Sequence, residues 1–275
     1  MQQRQQAELE DEYKNAIDQH DSDLVKKIIE SRANNDRNYI PPLSAIMVRA
    51  TMQDQPDIVS WCIDQADRAG LTVIHPRELM KTVVATEPGA LKTHKMLVEK
   101  NLVDLDYYVP WFGTAFSVAA TSGAYEWAKW CLEKGVDPNI DRVDEYKTVI
   151  AGTAENGHID MVKLLLEHGA ELNGSGAIVL AAEAGEKDMV DFLLKQGASI
   201  NEIGVECPVD ERITEDAGSA LHMAAEGGHK DVVELLVDKG AIIDIEDVKG
   251  RTPLSRARAA GHGEIVEYLG SRGAR

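Results

Sequence analysis

Apolar residues recur along this chain in pairs one helical turn apart. Val and Leu at i, i+1, i+4 and i+5 of successive stretches fall on one face of an α-helix. One stretch ends Leu235-Leu-Val-Asp-Lys-Gly-Ala241 and the next ends Tyr268-Leu-Gly-Ser-Arg-Gly-Ala274. Each follows a segment of smaller residues, Ser219-Ala-Leu-His-Met-Ala-Ala-Glu-Gly-Gly-His229 and Thr252-Pro-Leu-Ser-Arg-Ala-Arg-Ala-Ala-Gly-His262. Leu221 and Leu254, at equivalent places, are 33 residues apart. Self-similarity at this period predicts stacked two-helix units.

The same frame recurs upstream. Thr114-Ala-Phe-Ser-Val-Ala-Ala-Thr-Ser-Gly123 leads to Cys131-Leu-Glu-Lys-Gly-Val136, and Thr148-Val-Ile-Ala-Gly-Thr-Ala-Glu-Asn-Gly-His158 leads to Leu164-Leu-Leu-Glu-His-Gly-Ala170. Ile178-Val-Leu-Ala-Ala-Glu-Ala-Gly185 leads to Phe192-Leu-Leu-Lys-Gln-Gly-Ala198. Thr followed by Pro reads as an N-cap and first helical residue. The Ala pair keeps the first helix thin, and Gly supplies a left-handed stop. Three earlier units are degenerate: Ala16-Ile17 with Leu24 to Ile29, Pro42 to Met47 with Ile58 to Ile63, and Thr82 to Leu102, where Asn101 replaces the terminal Gly. That makes eight helix pairs.

These segments resemble ankyrin repeats, whose pattern is Gly-x-Thr-Pro-Leu-His-x-Ala-Ala-x-x-Gly-His followed by x-x-Val-Val-x-x-Leu-Leu-x-x-Gly-Ala. The resemblance implies an all-α solenoid of helix-turn-helix units with short hairpin or loop fingers. It would span 1–275 as a single array: capping helices over 1–41, degenerate repeats over 42–112, clear repeats over 113–251 and a capping repeat over 252–275. It also implies a protein-interaction module, since a solenoid offers an extended surface.

Net charge is −18. A phosphate backbone would be repelled, so nucleic acid is excluded as a partner, and an anionic membrane is disfavoured. Three cysteines, Cys62, Cys131 and Cys207, match no metal spacing, and the first two fall in apolar stripes. Neither a metal nor a cofactor is expected. The sequence holds no signal-peptide core and no apolar run of the ~20 residues a membrane span needs, which leads to the expectation of a cytoplasmic or nuclear protein.

The fingers vary while the helices persist. Ile150 to Ile178 is 28 residues and Ile178 to Leu221 is 43, which places an insertion within 201–216. Insertions of this kind map to loops, often on the binding face.

Two constellations carry the functional reading. The residue two before each inter-helix Gly is Glu87, Thr121, Glu155, Glu183, Glu226 and finally Ala259. Once the fingers are aligned these carboxylates fall in register on units ~10 Å apart, about one Debye length, so their fields reinforce. Asp144, Glu145, Glu215 and Asp216 extend the field at fingertips. Nine of the fourteen aromatics lie between Tyr107 and Tyr146. Phe116, Trp127 and Trp130 suit the core, whereas Tyr107, Tyr108, Trp111 and Phe112 occupy a finger and suit a binding anchor.

The leading reading is an acidic concave groove that binds a protein segment or ligand of positive charge, steered by the glutamates and anchored by Tyr107, Tyr108 and Trp111. The rival is an acid/base isomerase, cyclase or lyase on the same scaffold. Its pocket would be walled by Tyr107, Tyr108, Trp111 and Tyr146, with Asp144 or Glu155 moving the proton. His158, His222, His229 and His262 match structural positions of the repeat. Lys249, Arg251, Arg256 and Arg258 read as a small basic patch on an exposed cap.

Overall fold

Caps and stop residues written into the sequence delimit almost every helix. The computed structural model describes residues 12–36, 39–86, 89–110, 112–139, 147–204 and 217–275, together with the backbone of 142–143. Among the described residues sixteen helices form eight pairs. They are α1 (12–18) with α2 (Ser22–Asn35), α3 (Leu43–Met52) with α4 (Pro56–Ala69), and α5 (Pro76–Ala85) with α6 (Leu91–Glu99). Next come α7 (Ala115–Thr121) with α8 (Tyr125–Glu133), α9 (Val149–Glu155) with α10 (Ile159–Glu167), and α11 (Ala177–Glu183) with α12 (Lys187–Lys195). The last are α13 (Ala220–Gly227) with α14 (Lys230–Asp238), and α15 (Pro253–Ala260) with α16 (Gly263–Ser271).

Two fingers are antiparallel hairpins. Strand β1 (Tyr108–Val109) pairs with β2 (Gly113–Thr114), with Tyr108 opposite Thr114. Strand β3 (Arg142–Val143) pairs with β4 (Lys147–Thr148), with Val143 opposite Lys147. The lengthened finger is closed at its base by a bridge between Ile203 and Ser219. Its residues 205–216 lie outside the described residues.

The caps follow the sequence reading. Thr148 Oγ1 accepts from the Ala151 N–H at 3.2 Å, and Thr252 Oγ1 from that of Ser255 at 3.3 Å. Asn101 adopts the left-handed conformation at φ 54°, as expected of a residue standing in for Gly. One boundary differs. Helix α5 starts at Pro76, well before Thr82, with His75 as its N-cap. His75-Pro76 performs the role that Thr-Pro performs elsewhere, because Nδ1 of His75 accepts the Arg77 N–H at 3.2 Å.

Contacts group the chain into two compact units, one running to Ala115 and the other from Phe116. In the first, α3 packs on α4 and α5, and α6 packs on α4 and α5. Tyr13, Ile17, Val25, Ile46, Met47, Val59, Cys62, Leu79, Met80, Val83 and Leu97 are buried there. In the second, the inner helices stack in the order α9, α11, α13, α15, and the outer helices in the order α12, α14, α16. Each outer helix turns its apolar stripe inward; Met189, Val190 and Leu193 of α12 are fully buried. A side chain of this size contributes roughly 1.5–3 kcal/mol when it leaves water. Phe116, Trp127 and Trp130 are buried, as their spacing predicts. So are Cys62 and Cys131, and burial pushes the Cys62 thiol up to about 12, where it is inert. Cys207 lies outside the described residues.

Polar ties set the register between repeats in the second unit. The ring of His229 lies so close to Gly185 that a Cβ there would sit 2.5 Å from Nδ1, and its Nε2 donates to the Glu183 carbonyl at 2.8 Å. His262 repeats the arrangement on Gly228 and the Glu226 carbonyl, also at 2.8 Å. His158 packs on Gly123 in the same way, but there Asn156 Nδ2 takes the Thr121 carbonyl at 3.0 Å. Loops after the outer helices are joined likewise. Asn173 Oδ1 accepts from the Ser199 N–H at 2.9 Å, Asn201 Oδ1 from that of Ile242 at 2.9 Å, and Asp244 Oδ1 from that of Arg275 at 2.9 Å.

The basic patch expected on the C-terminal cap is not one. Arg256 is 3% exposed and grips the buried Asp247 carboxylate through Nε, at 2.9 Å, and through Nη2. Arg251 Nε reaches the same oxygen at 2.7 Å, and the N–H groups of Lys249 and Arg251 bond the other oxygen at 2.9 and 2.8 Å. Burial alone would raise the Asp247 pKa. The Arg251 N–H, the two guanidiniums and the Lys249 N–H outweigh it and hold the carboxyl far below the usual range. His222 accepts the Ser219 N–H at Nδ1 (3.1 Å), so Nε2 carries the proton and donates to the Arg251 carbonyl at 2.9 Å. Two of the four expected surface cations are therefore structural, because a finger carboxylate turns inward to meet them.

Two stability predictions follow from these buried groups. Asp247→Asn leaves Arg256 buried against a neutral amide and is expected to cost about 3 kcal/mol by chemical denaturation. The stabilisation from Asp247 is present above the unfolded carboxyl pKa and fades as pH falls below it. His94, fully buried on α6 where the repeat pattern places Val, is pushed by burial from 6.5 down to about 4. Its native form is neutral, so stability is complete above pH 6.5 and falls by roughly 3 kcal/mol as pH drops to 4. His94→Leu is expected to flatten that part of the stability–pH curve.

Candidate functional site

The last turn of each inner helix in the second unit brings one site residue to the same level of the stack. Thr121, Glu155, Glu183 and Glu226 end α7, α9, α11 and the charged part of α13. The inter-repeat ties hold the backbone carbonyls of Thr121, Glu183 and Glu226, so the register that places these side chains is fixed by hydrogen bonds as well as by packing.

Their side chains meet different fates. The Thr121 hydroxyl turns back on its own helix and donates to the Ser117 carbonyl at 2.9 Å. Glu155 is clamped by Lys147 Nζ, which lies 3.0 Å from Oε1 and 2.8 Å from Oε2. Lys147 sits on β4, in the finger that leads into the same helix pair. Glu226 receives Arg256 Nη1 at 2.8 Å, which ties it to the buried Asp247 network. Glu183 has neither an ion pair nor a side-chain hydrogen bond among the described residues, and it is exposed. Its carboxyl is nonetheless raised above the usual range. Desolvation by its neighbours is the largest cause, followed by the charge of Glu155; Lys147 opposes, Glu226 adds and Arg256 opposes. The charges of Glu155 and Glu226 both act on Glu183, and each of those two carries an internal counter-ion.

In the first unit, the hairpin β1–β2 carries part of the aromatic finger. Tyr108 is 50% exposed and Phe112 is 45% exposed. Tyr107 is half-buried, with the Arg77 guanidinium 5.8 Å from its ring centroid. Arg77 also reaches Asp104 at 3.5 Å. Val109, between the exposed positions, is fully buried and anchors the hairpin. Alternation along a short strand is what leaves Tyr108 outward.

Several expected residues lie outside the described residues: Glu87, Trp111, Asp144, Glu145, Tyr146, Glu215 and Asp216. The aromatic wall of the acid/base reading is therefore described only at Tyr107 and Tyr108, in the first unit. Its carboxylate Glu155, in the second, pairs with the Lys147 ammonium. Among the described residues no cluster of three or more His, Cys, Asp or Glu could hold a metal, and no helix is long and apolar enough to cross a membrane.

Sequence reasoning missed Lys147 and Arg256, the two cations that decide which glutamates are open. Lys147 lies eight residues before Glu155, a separation that means nothing until the hairpin folds the strand beside the helix end. Arg256 lies thirty residues after Glu226, close to one repeat length, and that spacing was the available signal.

The sequence matches a family model of three ankyrin repeats over two segments, residues 116–204 and 202–275. No curated protein matches it. The matched segments cover more than half of the chain and coincide with the second unit, where the paired helices, left-handed glycines and inter-repeat histidines are most regular. Protein interaction is what such repeats generally serve. The chain belongs to the ankyrin-repeat family.

Proposed function

We propose that this ankyrin protein binds a basic segment of a partner protein, with Glu183 as the carboxylate that receives a Lys or Arg side chain. The observation that carries this reading is the contrast along the row of glutamates. Glu155 and Glu226 have counter-ions, whereas Glu183 stands between them with none among the described residues and with its carboxyl raised. An incoming cation would relieve the repulsion from Glu155 and Glu226, so its gain exceeds that of a pair with an isolated surface carboxylate. The overall charge of −18 adds steering over longer distances.

The test uses a deca-arginine peptide and titration calorimetry. Glu183→Gln is expected to weaken binding about fivefold, the ~1 kcal/mol of a partly exposed ion pair. Glu155→Gln should do less, because Lys147 already occupies that carboxylate. Glu267→Gln, an exposed position on α16, makes the same change in net charge and serves as the control. Binding is expected to weaken as pH falls through the raised Glu183 range, since protonation removes the acceptor. Equal affinity of the Glu183→Gln and Glu267→Gln proteins would reduce the interaction to bulk charge and sink the proposal.

A further inference from the structure

The first unit contains a cleft of about 510 Å³ whose chemistry is unlike that of the glutamate row. The described residues lining it are Met52 at the end of α3, Lys81, Thr82 and Ala85 on α5 with its C-cap Thr86, and Phe112 on the hairpin. Lys81, Thr82, Ala85 and Thr86 recur at i, i+1, i+4 and i+5 and form one face of α5. The other face, with Leu79, Met80, Val83 and Val84, is buried in the core. The cleft is therefore the outward side of an inner helix, not a packing defect.

Three features define its preference. Met52 and Phe112 are 56% and 45% exposed, two large apolar side chains left in water along one cleft. The Thr86 hydroxyl donates to the Thr82 carbonyl at 2.7 Å, which uses its polarity within the helix. Lys81 is exposed and has no ion pair and no hydrogen bond among the described residues. No carboxylate is among the described lining residues. The result is an apolar trough with one uncompensated ammonium, of a volume typical of small-molecule sites.

We propose that this cleft binds a small carboxylate with an aromatic or branched aliphatic body. The body lies between Met52, Ala85 and Phe112, and the carboxylate pairs with Lys81 Nζ. An ammonium ligand is repelled by Lys81, and a neutral one gains no ion pair. Methionine suits such a site because its flexible thioether adapts to bodies of different shape. The proposal is independent of the basic-segment reading, which rests on residues of the second unit.

The experiment compares three isosteric probes on the full chain: 2-naphthoate, 2-naphthalenemethanol and 2-naphthylmethylammonium, each followed by its fluorescence. The wild-type protein is expected to bind naphthoate at least about fivefold more tightly than the amine, with the alcohol between them. Lys81→Gln should erase that order. Met52→Glu should reverse it in favour of the amine. Phe112→Ala should weaken all three probes together. All three substituted side chains are exposed, so thermal melting should be retained; if Phe112→Ala alters it, Lys81→Gln and Met52→Glu decide the matter alone. No saturable naphthoate binding would overturn the proposal, as would naphthoate preference surviving Lys81→Gln. Equal affinity for alcohol and naphthoate would also overturn it, making an apolar side chain of a partner protein the better occupant.

Discussion

No helix pair in this chain can cover its own apolar stripe. Each outer helix presents Val, Leu, Ile or Met on one face, and two short helices leave half of that surface in water. Only the next pair can bury it, as Met189, Val190 and Leu193 illustrate in α12. Stability is therefore a nearest-neighbour property, and every other feature is subordinate to correct stacking. The alanines of the inner helices matter for the same reason: a thin helix lets its neighbour come close enough to bury the stripe.

Stacking alone would tolerate sliding, because an apolar surface is not directional. Direction comes from polar ties. His229 and His262 each press on a glycine of the preceding repeat and donate to a carbonyl at the end of its inner helix. Those carbonyls belong to Glu183 and Glu226, so the bonds that set the register also aim the acidic side chains. Asp247 does comparable work at the C-terminal end. It collects Arg251 and Arg256, and Arg256 in turn holds Glu226. Structural and surface electrostatics are thus one network, and what remains open to a ligand is what that network leaves uncompensated.

The helix pairs were legible because their signals are local. A capping Thr, a left-handed Gly, the Asn101 substitute and an apolar stripe each act within a turn or two. The start of α5 was less legible because His75 replaces the usual Thr as the accepting cap, and imidazole is an uncommon choice. The histidines of the inter-helix turns were recognised as structural from their position. His94 stands at a Val position of the repeat, and its place within that apolar stripe implies a buried neutral ring. The candidate residues were legible only in part. The repeat frame singles out the glutamates of the inner helices, but it does not assign Lys147 and Arg256 to them, and it places Arg256 on the surface.

By itself the sequence determined the repeat, the helix pairs, the family and the acidic character, because periodicity, caps and net charge are properties of the chain order. Only the tertiary structure decided which charges cancel. Whether a glutamate is open or clamped depends on a cation brought beside it by a hairpin or by the next repeat, and the strength of that pairing depends on burial. Both are distances in space between residues far apart in the chain, which composition and spacing do not contain.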